Sequence, residues 1–398
     1  MLEALQRKNK PIIYLMLSNF NFLMNKIYLF TAAFAVMASL SGCSDTELAS
    51  IDTAQEKTPI GFHTVGSQMG SRATVIDNSN LKDYSFNVYA FKNDNGTDGA
   101  LFMGTEDKVA GTGGVNISYK EGKWNYTNPT DLKYWPNGSL NFYAVSPASD
   151  PIFSWQISQS KKEIDYLSYD EYDDGIPYTD VMYAVATDKS KAENGGTVQL
   201  QFKHITSQIV FMAKKQSISN MNVEIKSIKL HNFKHRGTFK IPTDGSEPKQ
   251  SDWSYITLST QEPNYVIKNQ KIDVETDATD ISTSTPMFLI PQKLTKWDPN
   301  KETANATKES YLSIECKISI VSDYKLGSES GYETLYVPFE ADWQPGKRYV
   351  YTLVFGGGYD AEGNTILQPI NFKPSVEDWG NVVNNTTTDK DIPLYQQQ

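Results

Sequence analysis

Short apolar segments with an alternating pattern recur along this chain of 398 residues. The alternation is clearest where Phe86, Val88 and Ala90 are interleaved with Asn87 and Tyr89. A period of two residues is typical of a β-strand with one face toward a core. We therefore expect Phe86, Val88 and Ala90 to face a hydrophobic core and the interleaved residues to face away from it.

The strand-like segments form two series, and each segment is bounded by Gly, Pro, Asn or Asp. The first series comprises residues 60–65, 84–91, 115–119, 140–146, 181–186 and 198–213, and the second comprises residues 223–230, 256–258, 272–274, 287–290, 311–321, 335–339 and 349–355. No window of helical length after the leader shows a sustained 3.6-residue period, and strands at this spacing indicate antiparallel β-sandwiches. Because the chain is longer than one core usually supports, we predict an all-β fold with domains at 59–216 and 217–383, the boundary being placed to within about ten residues.

The first 42 residues have the pattern of an export signal. Lys26 precedes an apolar run from Ile27 to Leu40, which has the length of the apolar part of a signal peptide and is short for a membrane span. We expect the signal peptide to start at Met24, with residues 1–23 as an upstream extension. Residues 1–42 are therefore predicted to be absent from the mature protein.

The apolar run ends in Leu40-Ser41-Gly42-Cys43, which resembles the lipobox of bacterial lipoproteins. In such a sequence the small residues fit the signal peptidase, and the thiol, here of Cys43, receives diacylglycerol. Residues 43–58 are polar, acidic and poor in aromatic residues, so we predict a flexible, lipidated tether. The other cysteine, Cys316, lies in an alternating apolar segment, and we expect an inert buried thiol without a disulfide partner.

Composition and charge restrict the partners. The formal net charge is −10 at pH 7, and no block of Lys or Arg follows the leader. Both features argue against nucleic acid and anionic lipid as partners. The 23 tyrosines and 18 phenylalanines, with only four histidines, suit half-buried pleated surfaces.

Three groups of residues could carry chemistry, and each has a simpler interpretation. Gly356–Gly358 follows a strand, but no helix pattern and no Lys-Ser or Lys-Thr follows it, so we expect a strand connection rather than a phosphate loop. His231 and His235 lack a nearby Cys or carboxylate at ligand spacing, so we expect two surface histidines and no metal site. The acidic residues at 170–174 lack the spacing of a calcium loop, so we expect a solvated loop.

No catalytic residues are predicted. The chain has no Gly-x-Ser-x-Gly elbow in a suitable context, and no Ser or Cys with a plausible His partner. The 47 acidic residues single out no catalytic pair, so a hydrolase on a β-sandwich stays an open alternative. The aromatic residues Tyr134-Trp135-Pro136, Trp155, Trp253 and Trp297 could form a sugar-stacking platform, or they could fill cores and sheet edges.

Several longer motifs, in their order along the chain, resemble those of the fimbrillin family, the Mfa-like subunits of type V pili in Bacteroidota. The motifs that carry the resemblance, besides the lipobox leader, are Pro59-Ile60-Gly61-Phe62, Ser71-Arg72-Ala73, residues 86–91, Tyr134-Trp135-Pro136 with residues 140–144, and residues 204–209, 286–292, 343–351 and 376–379. The resemblance covers most of residues 43–383. It implies two tandem β-sandwich domains of transthyretin-like topology, export as a lipoprotein, and no cofactor.

The same resemblance implies assembly outside the cell by strand exchange. A trypsin-like protease cuts after an arginine and removes the first strand, and the groove that remains accepts a strand from the next subunit. The cleavage site carries over onto Arg72 and Ala73, and Ile60 and Phe62 become the pocket-filling side chains of the displaced strand. The implied partners are other pilus subunits, the outer membrane through the lipid, and a host or bacterial surface ligand; the implied location is the outer-membrane surface, in a fimbrium.

One departure from the family pattern lies at the C-terminus. Residues 384–398 are polar, and only Ile392, Leu394 and Tyr395 offer alternating bulk, so this segment is either a weak donor strand or a polar tail. Shaft, tip, anchor and accessory roles therefore stay open. The alternative to a pilus subunit is a monomeric surface adhesin or glycan-binding lipoprotein that keeps its first strand and uses exposed aromatic residues.

Overall fold

A computed structural model describes residues 57–65, 80–105, 111–149, 153–168, 179–216, 220–256, 264–267, 270–282, 287–355, 358–359, 365–367 and 375–378. The chain divides into two units, Met1–Glu56 and Lys57–Gln398, and all of the described residues belong to the second unit. The signal peptide and most of the predicted tether therefore lie outside the described residues.

The described residues form strands joined by turns. The first strands are β1 (Gly61–Val65), β2 (Phe86–Asp94), β3 (Thr97–Met103), β4 (Val115–Lys120), β5 (Lys123–Tyr126), β6 (Leu140–Ser146), β7 (Phe153–Ile157), β8 (Lys162–Leu167), β9 (Met182–Lys189), β10 (Thr197–Gln201), β11 (Lys203–His204) and β12 (Ser207–Lys215). They are followed by β13 (Met221–His231), β14 (Arg236–Lys240), β15 (Trp253–Ile256), β16 (Asn264–Ile267), β17 (Ile272–Asp273), β18 (Thr279–Asp280), β19 (Met287–Leu289), β20 (Lys293–Leu294), β21 (Tyr311–Ile320), β22 (Asp323–Leu326), β23 (Glu333–Pro338), β24 (Ala341–Asp342), β25 (Lys347–Phe355), β26 (Gly358–Tyr359), β27 (Thr365–Leu367) and β28 (Ser375–Asp378).

The all-β prediction is confirmed. In the part of the chain that the structure describes, the only helical segments are short 3-10 turns at Leu81–Asp83, Pro129–Asp131, Asn194–Gly196 and Gln250–Asp252. None of these described helical segments has the length and apolar character needed to cross a membrane.

The central sheet of the N-terminal part is buried on both faces. Its strand order is β11-β9-β6-β2-β4-β5, with β3 paired to β2. Phe86 and Val88 belong to the core that also contains β1 and β10, whereas Tyr89 and Phe91 belong to the core that contains β7, β8, β14 and β15. The expectation that Tyr89 faces away from a core is therefore wrong, because the sheet lies between two other layers.

The second of these layers is a sheet with the strand order β15-β14-β8-β7. In it β8, from the N-terminal half, pairs antiparallel with β14, from the C-terminal half. The two halves of the chain therefore share a sheet. The predicted domain boundary near residue 216 stays a prediction, but strand pairing runs across it.

The largest core lies between two sheets built mainly from the C-terminal half. One sheet has the order β18-β12-β25-β28, with β19 paired to β12, and the other has the order β16-β13-β21-β23-β26-β27, with β17 and β22 at its sides. Leu312, Ile314, Cys316 and Ile318 of β21 alternate into this core. Cys316 is fully buried, as expected, and burial raises the pKa of its thiol, which keeps it protonated and unreactive.

Candidate functional site

The first strand, β1, lies along β10 in parallel. The register runs from Gly61 opposite Thr197 to Val65 opposite Gln201. Among the described strands, β10 is the only hydrogen-bonded neighbour of β1, and the two form a sheet of their own. β1 is therefore held by one ladder of backbone hydrogen bonds, unlike a central strand, which is held by two.

The residues just before β1 are tied to the segment around residue 134. The Ile60 N–H donates to the Lys133 carbonyl at 2.9 Å, and the Trp135 N–H donates to the Thr58 carbonyl at 3.0 Å. The Tyr126 hydroxyl also donates to the Ile60 carbonyl, at 3.1 Å. These bonds fix the position of the residues that lead into β1.

Two side chains of this segment reach the core. Ile60 and Phe62 are 1% and 7% exposed, whereas the next residue, His63, is exposed to solvent. The Phe62 ring lies edge-on to Phe86 and Phe142, with centroids 6.1 and 6.2 Å away. Such aromatic pairs contribute about 0.5–1.5 kcal/mol beyond the burial of their area. The segment thus supplies part of the N-terminal core.

The backbone at the start of β10 packs closely against the residues before β1. Gly196 has φ +85°, and a Cβ there would lie 2.7 Å from Thr58 Cγ2 and 2.9 Å from Trp135 Nε1. The Trp135 indole N–H donates to the Gly196 carbonyl at 2.8 Å. Only glycine fits this position, both for its backbone angle and for the space available. Trp135 is therefore a structural clamp of the site.

Removal of β1 would leave a defined groove. The space occupied by Phe62, between Phe86, Tyr126 and Phe142, would be vacated, and the β10 backbone would lose its hydrogen-bonded neighbour. Unpaired backbone groups and an exposed apolar pocket both favour the binding of another extended segment. The matching segment needs bulky side chains two residues apart, as Ile60 and Phe62 are.

Several of the predicted site residues cannot be placed. Cys43, Arg72 and Ala73 lie outside the described residues, as do the acidic residues 170–174 and the tail 384–398. Lipidation of Cys43 and cleavage after Arg72 therefore stay predictions. Of the three consecutive glycines, only Gly358 is described, at the start of β26.

Trp155, Trp253 and Trp297 do not form a sugar-stacking platform, one of the two interpretations that the sequence left open. Trp155, Trp253 and Trp297 are buried, and their indole N–H groups donate inward to Tyr89, to the Ile205 carbonyl and to the Glu302 carbonyl. Tyr134, at 42%, is well exposed. The alternative interpretation, in which these tryptophans fill cores, is the one that the structure supports.

The expectation of two surface histidines is wrong for His235 and holds only in part for His231. His235 is buried, with its ring centroid 4.2 Å from that of Phe233, and His231 is half-buried and stacked on Tyr311 at 4.3 Å. Burial lowers the pKa of both imidazoles to about 4, so both are neutral at pH 7. Among the described residues, no group of three or more His, Cys, Asp or Glu could hold a metal ion.

The sequence did not reveal the partners of β1. Phe86, Tyr126 and Phe142 lie on β2, β5 and β6, and only the folded sheet brings them around Phe62. One feature of the sequence could have indicated the close packing before β10. Gly196 lies directly before a predicted strand, and a glycine at such a position often marks a close approach of the backbone to other residues.

A family model, a curated relative and a solved structure were each compared with this chain, and all three are fimbrial. Residues 71–379, more than half of the chain, match the family model described as Fimbrillin-like. The fimbrium subunit Fim1C of Phocaeicola vulgatus is 23% identical over 263 residues, which cover 58% of this chain and 66% of that protein, so the match spans just under two thirds of the relative. A fimbrial protein from Bacteroides vulgatus superposes with a TM-score of 0.52 at 17% identity, covering 81% of this chain and 99% of that one. At this identity the superposition shows a shared fold alone.

Proposed function

The chain belongs to the Fimbrillin-like family, and on that premise we propose that it is a structural or accessory subunit of a type V pilus, exported as a lipoprotein and assembled by strand exchange. In this proposal Cys43 carries the lipid, cleavage occurs between Arg72 and Ala73, and β1 leaves. Adhesion to a host or bacterial surface is the function of the assembled fibre.

The observation that carries the proposal is how β1 is held. This strand has a single hydrogen-bonded neighbour and buries Phe62, and Ile60 directly before it is buried as well, so the loss of this segment would open both a backbone edge and a pocket. Binding of a foreign strand in such a groove is β-augmentation, in which backbone bonds supply affinity and pockets supply specificity. The family match begins at residue 71, next to Arg72, and leaves β1 outside.

Cleavage changes the competition for the groove. While β1 is covalently linked to the rest of the chain, its effective concentration at the groove is in the millimolar range or above, as for other short linkers. After a cut at Arg72, the released segment 44–72 competes only at its bulk concentration. A donor strand from another subunit can then replace it.

An arginine-specific protease tests the proposal on purified protein from Ser44 to Gln398, which lacks the lipid. This range contains three arginines, Arg72, Arg236 and Arg348. Arg236 on β14 and Arg348 on β25 lie in strands that pair on both sides. We expect one cut, after Arg72, followed by conversion of monomer into high-mass polymer on size-exclusion chromatography with light scattering.

The variant Arg72→Ala is the matched control and should stay monomeric under the same treatment. An uncut wild-type protein, or a cut protein that stays monomeric, contradicts strand exchange and favours a free-standing adhesin. The lipid is tested separately by palmitate labelling in cells, which Cys43→Ser should abolish.

A further inference from the structure

A small polar pocket lies on the outer face of the eight-stranded sheet. Side chains of β13, β21 and β23 form its floor, and its volume is about 220 Å³. On these strands Leu230, Ile314 and Leu335 point into the core, so the intervening Lys229, Ser313 and Glu315 belong to the opposite face. The pocket is therefore separate from the hydrophobic core beneath it.

The pocket is pre-formed by an aromatic cluster and a fastened loop. Trp297 is buried against Tyr311 and Tyr336, with ring centroids 5.8 and 6.4 Å away. The loop that follows Trp297 is held by Asn232, whose side-chain amide donates to the carbonyls of Thr307 and Glu309 at 3.1 and 2.9 Å. Because these contacts hold the pocket residues in place before a ligand arrives, binding costs less conformational entropy.

The lining excludes apolar ligands. Each of its nine side chains carries a hydrogen-bonding atom, and none is aliphatic. Burying a lipid or another apolar group here would leave polar atoms without water, which is costly. The strands of the floor are paired on both sides, so an extended peptide cannot add to their edges.

The charges of the lining argue against anions and metal ions. Lys229 and Glu315 carry opposite charges, and His231 is neutral at pH 7 because burial lowers its pKa to about 4. A phosphate would meet one cation and one carboxylate, so its net attraction is small. A single carboxylate does not provide the set of oxygen ligands that Ca²⁺ or Mg²⁺ requires.

Glu315 has a fixed orientation. The Ser227 hydroxyl donates to Glu315 Oε2, and Lys226 Nζ lies 3.5 Å from the same oxygen. Both contacts lower the pKa of the Glu315 carboxyl, so it is an ionised acceptor. Opposite it, His231 Nε2 lies 2.7 Å from Ser313 Oγ, which orients that hydroxyl.

We propose that this pocket binds one neutral pyranose ring at the end of a glycan. Glu315 accepts from the ring hydroxyls, Lys229 donates to them, and Tyr336 lies against an apolar C–H face. The volume, below the roughly 300–1,000 Å³ of pockets for drug-sized ligands, suits one ring rather than an oligosaccharide. The proposal concerns adhesion and goes beyond assembly, since it holds whether or not β1 is exchanged.

Saturation-transfer NMR on the Ser44 to Gln398 protein tests this directly. The probes are the methyl glycosides of glucose, galactose, mannose, N-acetylglucosamine and fucose, with inorganic phosphate and N-acetylneuraminic acid as anionic comparators. We expect transfer to at least one neutral glycoside, with weak, millimolar affinity, and none to the anions.

Three variants locate the binding. Glu315→Gln is nearly isosteric and should fold normally, and we expect it and Tyr336→Ala each to weaken binding at least about tenfold, the loss expected for an unmatched polar group or a lost stacking face. Tyr324→Ala removes a 40% exposed tyrosine of β22, in the same sheet, and should leave binding unchanged.

Two results overturn the proposal: no transfer to any of the five neutral glycosides, whether or not the anions show transfer, or transfer that both Glu315→Gln and Tyr336→Ala leave intact. The Arg72→Ala variant, which cannot be cut, should bind the glycoside as the wild type does, so failure of sugar binding and failure of strand exchange are distinguishable.

Discussion

Phe62 packs edge-on against Phe142, with the ring centroids 6.2 Å apart and the ring planes at 82°. One ring belongs to the first strand and the other to the middle of the central sheet. This contact joins a strand that we propose to be removable to the part of the sandwich that stays. The stability of the uncleaved protein should therefore depend on Phe62.

The variant Phe62→Ala should lower the free energy of unfolding by about 3–5 kcal/mol, the usual cost of truncating a buried phenylalanine. The neighbouring exposed His63 provides the control, since His63→Ala should change it by less than about 0.5 kcal/mol. Urea denaturation of the uncleaved protein measures both. Equal, small effects would mean that β1 is not part of the cooperative core.

Gly195 and Gly196 form a matched pair for testing the clamp before β10. Both have positive φ, but a Cβ on Gly195 meets nothing within 4 Å, whereas on Gly196 it collides with Thr58 and Trp135. Gly195→Ala should therefore cost only the backbone strain, about 1 kcal/mol, and Gly196→Ala clearly more. The same denaturation experiment checks this, and a Gly196→Ala cost no larger than that of Gly195→Ala would contradict the close packing.

Lys162 forms a buried ion pair with Asp98, with Nζ 2.7 Å from Oδ2. Lys162→Met should lower the free energy of unfolding by about 3–5 kcal/mol, because it leaves the Asp98 carboxylate buried without its cation. The adjacent Lys161 pairs with Glu163 at the surface, so Lys161→Met should cost no more than about 1 kcal/mol. Thermal and urea unfolding compare the two variants. If the double variant Lys162→Met with Asp98→Asn regains stability, the loss in Lys162→Met is caused by the unpaired Asp98 charge.

The buried histidines predict a loss of stability in mild acid. A histidine of the unfolded chain titrates near pH 6.5, whereas His231 and His235 titrate at about 4 in the fold. Between these values the unfolded state binds protons that the folded state does not, so the free energy of unfolding falls as the pH falls, by up to about 1.4 kcal/mol per pH unit for each histidine. Above about pH 7 this effect is absent.

Urea curves for the wild type and His231→Gln between about pH 7.5 and about pH 4.5 measure the histidine contribution, since the carboxylates are common to both proteins. The variant should show the shallower decline. Parallel declines would show that His231 does not resist protonation in the fold.

Local patterns in the sequence were enough to predict the class of fold and the burial of Cys316, whereas the pocket-filling role expected of Ile60 and Phe62 came from the family resemblance. They were not enough to predict which strands meet. The alternation in β2 marks one apolar face, but Tyr89 on the other face is buried by β7, β8, β14 and β15, which are distant in sequence. An alternating pattern shows which residues lie on the same face of a strand. Which strands and layers pack against that face depends on contacts between residues that are far apart in sequence.

The same limit applies to the site. The parallel pairing of β1 with β10 joins the first described strand to a strand far along the chain, and no local signal specifies it. Histidine and tryptophan occur both in cores and at surfaces, so the burial of His235 and of the three tryptophans became clear only from the structure. Lipidation of Cys43, cleavage after Arg72 and the boundary near 216 stay predictions.

The most direct test of strand exchange is amide hydrogen exchange of residues 197–201, followed by mass spectrometry before cleavage, after removal of the 44–72 fragment, and after polymerisation. These amides should exchange slowly in the intact protein, at least about tenfold faster once the fragment is gone, corresponding to about 1.4 kcal/mol of local stability, and slowly again in the polymer. Arg72→Ala should show no change. Protection that is unaltered after the fragment has left, or that does not return in the polymer, would contradict the exchange of β1 for a donated strand.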